Sequence, residues 1–306
     1  PWTLAARLQT VNGPVQIGTG RDAGSASGER RVLRIDGATP KTQAALAAHL
    51  HLVWLTPQLD RLFLEGGSAR RRFLDRLVLG FDPEHAARLS AFEHGMRERL
   101  RLLQAGAGDA AWLGALEEKM AADGIAIACA RRELVTRLDA ACAAAEGSFP
   151  QARLALAGAV EDWLAAMPAL AAEEEFRRRL AAQRRSDAER GMTAAGPHRS
   201  DLAVRHLATG MPAALCSTGE QKALLIAIVL AYARLRATIA GSPPILLLDE
   251  VAAHLDPGRR AALLAAVAAL GAQAWLTGTE PGLFAALAGQ GQFFVVADAT
   301  IAPAAA

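Results

Sequence analysis

Lysine is scarce in this chain of 306 residues: Lys41, Lys119 and Lys222 are the whole supply, and the rest of its 33 basic residues are arginine. None of the three follows a glycine, so no G-x-x-x-x-G-K-[ST] loop is present to cradle a phosphate on backbone N–H groups. Cysteine is scarce too. Cys129, Cys142 and Cys216 are odd in number and lack C-x-x-C spacing, which argues against disulfides and zinc and fits a reducing, cytoplasmic setting. A strong charge of either sign is missing as well. A net charge of +2 does not suit a protein that coats nucleic acid nonspecifically, although it leaves room for a local basic face. No segment reads as a signal peptide, and the longest clean apolar run, Ala223 to Ala233, is too short to cross a bilayer, so no membrane partner is expected. The chain enters on Pro1-Trp2-Thr3-Leu4 without a methionine, which reads as the middle of a protein.

What is present suits a folded protein of two domains, or of one domain with an insertion, since 52% of the residues are hydrophobic. The preference for arginine, beside so much alanine and glycine, reads as genome composition, so arginine clusters alone carry little weight. Leu4–Leu8, Val15–Thr19 and Val32–Ile35 alternate as short strands, with Asn12-Gly13 as a hairpin turn and 24–28 as a loop. Pro40 to His51 reads as a helix and 51–55 as a strand. From about Arg70 to Arg190 the chain is rich in Ala, Leu, Arg and Glu at helical spacing with no convincing strand. Within it, Glu173–Glu175 precede Arg177–Arg179 at spacings that pair charges along a helix, while Arg184-Arg185 reads as a solvated face. Strands and helices then alternate again: Val204–Leu207, Gly219–Arg236, Ile245–Leu248, Arg259–Leu270, Gln273–Leu276 and Phe293–Ala297. That alternation implies a largely parallel sheet, with an all-helical lobe inserted into one α/β domain.

Two segments carry chemistry. Ile245-Leu246-Leu247-Leu248 is apolar throughout, as in a parallel strand buried on both faces, and Asp249 and Glu250 emerge at its carboxyl end, where open α/β sheets bind ligands. In the functional reading, that of a Walker B strand, Asp249 holds magnesium, directly or through water, and Glu250 polarises the attacking water. The plainer reading is an acidic turn closing an ordinary strand. Ahead of it, Cys216-Ser217-Thr218-Gly219-Glu220-Gln221-Lys222 opens a long apolar helix. Ser217 or Thr218 can cap it, Gly219 lets a phosphate approach the backbone, and Gln221 and Lys222 stand in its first turn. A capped core helix explains the apolar part of this segment but not the polar entrance. Together the segments look like the signature helix and Walker B strand of an ABC-type ATPase head. His254-Leu255-Asp256 then falls at the spacing of a D-loop, and Thr277-Gly278-Thr279 follows the next strand where a γ-phosphate sensor lies, with Thr277 and Thr279 as candidates in place of the more usual histidine.

Three blocks make the resemblance specific. They are 56–75, containing Gly67-Ser68-Ala69-Arg70-Arg71-Arg72; 193–202, containing Gly196-Pro197-His198-Arg199-Ser200-Asp201; and 217–256. On these the chain resembles the RecF family of bacterial DNA replication and repair proteins, ATPases of the ABC/SMC-like class. It departs in having Gln58-Leu59-Asp60 after Pro57, where the family has two acids directly, and in lacking the family's phosphate loop. The resemblance implies a P-loop NTPase-like α/β head of residues 1–69 and 191–306 around a helical lobe of 70–190. It implies ATP and Mg2+ as cofactors, and an ATP-driven homodimer in which the signature Ser217, Thr218, Gly219, Gln221 and Lys222 meets a partner's nucleotide. It also implies slow hydrolysis at Asp249 and Glu250, and a role in gap repair and the SOS response with recombination mediator proteins. Duplex DNA, or its junction with single strands, would lie across heads and lobes. Arg70, Arg71, Arg72, His198 and Arg199 read equally as phosphate contacts or as internal salt-bridge and hinge residues. Other readings are a second kind of ABC ATPase, such as a transporter subunit, and a nucleotide-independent scaffold. The lobe of about 120 residues and the GPHRSD block argue against transport. Without a phosphate loop this chain is expected to hydrolyse ATP negligibly by itself.

Overall fold

The structure, a computed structural model, describes residues 2–10, 12–21, 31–40, 43–106 and 109–304. Two compact units emerge, Pro1–His51 and Leu52–Ala306.

In the first unit β1 (Trp2–Thr10), β2 (Gly13–Arg21) and β3 (Arg31–Ile35) form an antiparallel sheet in that order. Thr10 pairs with Gly13, whose φ of 109° is open only to glycine, so Asn12-Gly13 makes the expected turn. Period-2 alternation places Val15, Ile17 and Leu33 in a small core with Leu8, Ile35 and Leu46. The loop expected over 24–28 lies outside the described residues. The helix expected over Pro40 to His51 is a 3-10 helix at Gln43–Ala48.

The second unit runs through β4 (Leu52–Leu55), α1 (Gly67–Val78), α2 (His85–Ala105), α3 (Ala110–Ala143), β5 (Ala152–Ala157), α4 (Ala159–Ala166), α5 (Ala169–Ala182) and α6 (Arg184–Arg190). It continues through β6 (Asp201–His206), α7 (Thr218–Ala240), β7 (Ile245–Leu248), α8 (Pro257–Ala269), β8 (Ala274–Leu276), β9 (Phe293–Ala297) and β10 (Thr300–Ala304). The expected parallel sheet is β4-β7-β8, and β9 and β10 form a separate antiparallel pair. Val53, Leu55, Leu246 and Leu248 share a core with α7, whose residues from Gln221 to Ala233 are all buried. The opposite face carries the row Trp54, Leu247 and Trp275 in register, with Leu247 36% and Trp275 54% exposed. Burial of β7 on both faces, expected from its four aliphatics, is thus met on one face only. Helix α7 is long and apolar enough to cross a membrane by length and composition, but most of it lies inside this unit.

Helix α3, 34 residues and so about 50 Å long, joins two cores. Its first half packs Met120, Ala121 and Ile125 with Phe92, Phe176 and Leu180. At Gly124 a Cβ would stand 2.6 Å from the Phe176 ring, so only glycine lets α3 and α5 come this close. Its second half sends Leu134, Val135, Leu138 and Cys142 into the core of β7 and α7. The region 70–190, read as helical throughout, also holds β5, which pairs antiparallel with β6 from Ala152↔His206 to Ala157↔Asp201. Its ARLALA sequence favours a helix by propensity, and pairing with β6 overrides that preference.

Candidate nucleotide site

The acids and the helix entrance meet at the carboxyl end of the parallel sheet. The Asp249 N–H donates to the Leu55 carbonyl at 2.9 Å and the Thr277 N–H to the Leu248 carbonyl at 3.1 Å, so the strand ladder continues into both residues. The Thr277 hydroxyl donates to Asp249 Oδ1 at 2.6 Å and accepts the Glu250 N–H at 3.1 Å. Asp249 is exposed, and Glu250 is half-buried with φ at 51°, a left-handed backbone costly for a residue with a side chain.

The entrance of α7 is built by local chemistry. Ser217 and Glu220 form a capping box: the Ser217 N–H donates to Glu220 Oε2 at 2.9 Å, and the Glu220 N–H donates back to Ser217 Oγ at 3.4 Å. The Ser217 hydroxyl and N–H hold the Glu220 carboxyl below its usual range. Ser217 and Thr218 are exposed and Gly219 half-buried. Gly219 has no positive φ, and a Cβ there would meet nothing within 4 Å. Nothing among the described residues therefore requires glycine at this position.

The next two residues turn inward. Gln221 Nε2 donates to the Cys216 carbonyl at 2.8 Å, and the Lys222 ammonium reaches the Glu250 carbonyl at 3.1 Å and Asp60 Oδ2 at 3.2 Å. Asp256 caps α8, accepting the Arg259 N–H at 2.9 Å. Thr279 is exposed, with no hydrogen bond to the described residues.

The nucleic-acid candidates separate by their partners. Arg70 makes a bidentate pair with Asp201 (2.8 and 2.7 Å), and Arg71 donates to the Ser200 carbonyl at 2.7 Å. Arg72 is exposed and unpaired among the described residues. His198 donates to the Thr193 carbonyl at 2.9 Å, and burial pushes its pKa down to about 4, so it is neutral at pH 7. Arg199 is exposed and bonds to Met192 and the Thr193 carbonyl. His198 and Arg199 thus brace their own block, while Arg131, donating to the Pro197 carbonyl, and the Ser200 hydroxyl, donating to Glu161, tie that block to α3 and α4.

Three ionic clusters escaped the sequence. Asp60 is one, and its departure from the family pattern was the only sign. In the second, Asp75 accepts from His85 and Arg131; burial alone would raise its pKa, but these partners outweigh burial and hold the carboxyl below its usual range. In the third, buried Arg99 joins Glu117 and Asp187, and Arg184 pairs with the same Glu117 at 2.6 Å. Arg184 is therefore not part of a solvated face, because the helical turn carries it over Glu117, whereas Arg185 is exposed.

Among the described residues no group of three or more His, Cys, Asp or Glu is set to hold a metal. Among the described residues Asp249 keeps one carboxylate oxygen unbonded on an exposed side chain, which suits Mg2+ shared with a nucleotide's phosphates better than a cage made by protein alone.

No protein-family model matches the chain. It is 50% identical over 304 residues to the DNA replication and repair protein RecF of Mesorhizobium japonicum, covering 99% of this chain and 80% of that protein. It is 47% identical over 302 residues to the protein of the same name from Rhizobium meliloti, again covering 80% of the relative. The fold matches a solved structure of the recombination mediator protein RecF with ATP, of the RecFOR pathway, with a TM-score of 0.81 at 19% identity over 99% of this chain and 80% of that one. The chain belongs to the RecF family of DNA replication and repair proteins.

Proposed function

We propose that this chain supplies the signature and Walker B parts of an ATP-dependent clamp on DNA. Ser217, Thr218 and Gly219 would face a nucleotide held by a second RecF-type subunit, and Asp249 and Glu250 would serve a nucleotide of their own head. Residues 1–69 and 191–306 would act as head and 70–190 as lobe. Gly219 carries the reading: it is a glycine that neither backbone conformation nor packing requires, at the exposed N-terminus of a buried helix. Such an end offers free N–H groups and partial positive charge to an anion that comes close to the backbone.

ATP and Mg2+ fit part of the site. Mg2+ would neutralise phosphate charge, and Asp249 would hold it through the oxygen that Thr277 leaves unbonded. Glu250 would orient a water. The phosphate cradle is missing from this sequence, so the chain alone should hydrolyse ATP negligibly; magnesium-dependent turnover abolished by Glu250→Gln would overturn that expectation. The DNA partner rests on family membership, and Arg72 and Arg199 are the candidates that remain exposed.

The test is association, followed by sedimentation, with a RecF protein that carries its own phosphate loop. ATP should drive a mixed assembly that Ser217→Arg blocks. Association indifferent to ATP, or to Ser217→Arg, would leave a nucleotide-independent scaffold.

A further inference from the structure

We infer that Lys222 is a positioning residue, a strut inside the chain that ties the entrance of α7 to the peptide of Glu250, and not a contact to a partner's nucleotide. The function of this strut rests on the reading of Glu250 given above; its existence does not.

Lys222 is only 7% exposed. A buried ammonium needs partners to replace water, and here it has two, Asp60 Oδ2 and the Glu250 carbonyl oxygen. On its other side, the Glu250 N–H donates to the Thr277 hydroxyl. Both polar groups of Glu250's backbone thus have a side-chain partner, one near the start of α7 and one at the end of β8, and the carbonyl also accepts the Ala253 N–H at 3.2 Å in the turn after β7. Together with the turn closed by Ala253, these contacts hold a left-handed backbone at a residue that would otherwise avoid it. The Thr277 hydroxyl accepts from the Glu250 N–H and donates to Asp249, so one proton arrangement aligns both acids.

Lys222 lies four residues after Thr218 and three after Gly219, on the same side of the helix. Any displacement at the signature therefore reaches the Lys222 ammonium through one helical turn, and from there Glu250. A signature occupied by a partner's nucleotide and the acid of the chain's own head are connected by one side chain.

The experiment uses the scarcity of lysine. In the whole chain, labelled at lysine and at backbone amides, Lys222→Met keeps the apolar stem and removes the strut. Hydrogen exchange at the Glu250 amide should then quicken about tenfold or more, while the amides of α7 from Leu224 to Ala233 keep their protection. Thr277→Val should do the same and Thr277→Ser should not. Unchanged exchange at Glu250 in Lys222→Met overturns the strut. If Lys222→Met fails to fold, Asp60→Asn replaces it: the Lys222 signal should move and Glu250 exchange quicken, and no change in either overturns the strut. In the mixed assembly with ATP, the Lys222 signal and the Glu250 amide should shift together. Lys222→Met should still associate but lose the Glu250 shift. Loss of association in Lys222→Met makes Lys222 a nucleotide contact after all and overturns the inference. Failure of the wild-type chain to associate overturns the clamp reading, and the exchange at Glu250 still decides the strut.

Discussion

His198 and the three arginines of 70–72 show how burial sorts residues that look alike on paper. His198 prefers its neutral form in the fold, because burial pushes its pKa from 6.5 to about 4. As pH falls from 6.5 to 4 the unfolded chain takes up a proton that the folded chain refuses, so this contribution is complete above pH 6.5 and lost towards pH 4. The loss should be on the order of 3 kcal/mol. Denaturation measured at pH 7 and at pH 4.5 should show part of it, and His198→Gln, which keeps a donor for Thr193, should flatten that part of the profile. Arg70→Ala, which breaks a half-buried bidentate pair, should lower stability by about 1–3 kcal/mol. Arg72→Ala should cost under about 0.5 kcal/mol and show its effect in DNA affinity instead. Equal stability losses for the two would contradict this division. The sequence placed all three arginines in one block but could not separate them, because the partners, Asp201 and the Ser200 carbonyl, lie about 130 residues away and meet α1 only through the fold.

Elements were legible where their pattern is local. Helix α7 announces itself by a capping serine, a glutamate three residues on and an unbroken apolar run. β7 matches its expected span, Ile245–Leu248, because four aliphatics between Pro244 and two acids leave little choice. β5 was missed because alanine and leucine read as helix, and only β6 reveals it as a strand. The double role of α3 was hidden for a similar reason, since its two halves are alike in composition but face different cores. Leu138→Ala should cost about 2–5 kcal/mol by opening a cavity where α3 enters the core of β7 and α7, as denaturant unfolding would show. At the entrance of α7, Gly219→Ala should move two measurements in opposite directions. Unfolding stability should rise by about 0.5 kcal/mol, because alanine suits a helix and nothing obstructs its methyl. ATP-dependent association should weaken, because the methyl stands where a phosphate would approach.

At the scale of the molecule, the parallel sheet is covered on one side by α7 and leaves Trp54, Leu247 and Trp275 in a row on the other. Parallel sheets are ordinarily covered on both faces, so Leu247 and Trp275, beside a Trp54 that Arg76 stacks on, form a partly exposed apolar strip suited to association. Trp275→Thr should improve solubility with little loss of stability. The family, the α/β fold and the order of motifs were readable because they sit in contiguous blocks. The wiring among Lys222, Asp60, Glu250 and Thr277 was not, because it joins four separate stretches of sequence. The central claim, that this signature serves another subunit's nucleotide, is tested most directly by complementation. A RecF protein with an intact phosphate loop but a disabled signature is mixed with this chain, and magnesium-dependent ATP turnover is measured. The account predicts turnover that rises with added chain and is abolished by Ser217→Arg; turnover that ignores the chain, or that persists with Ser217→Arg, would contradict it.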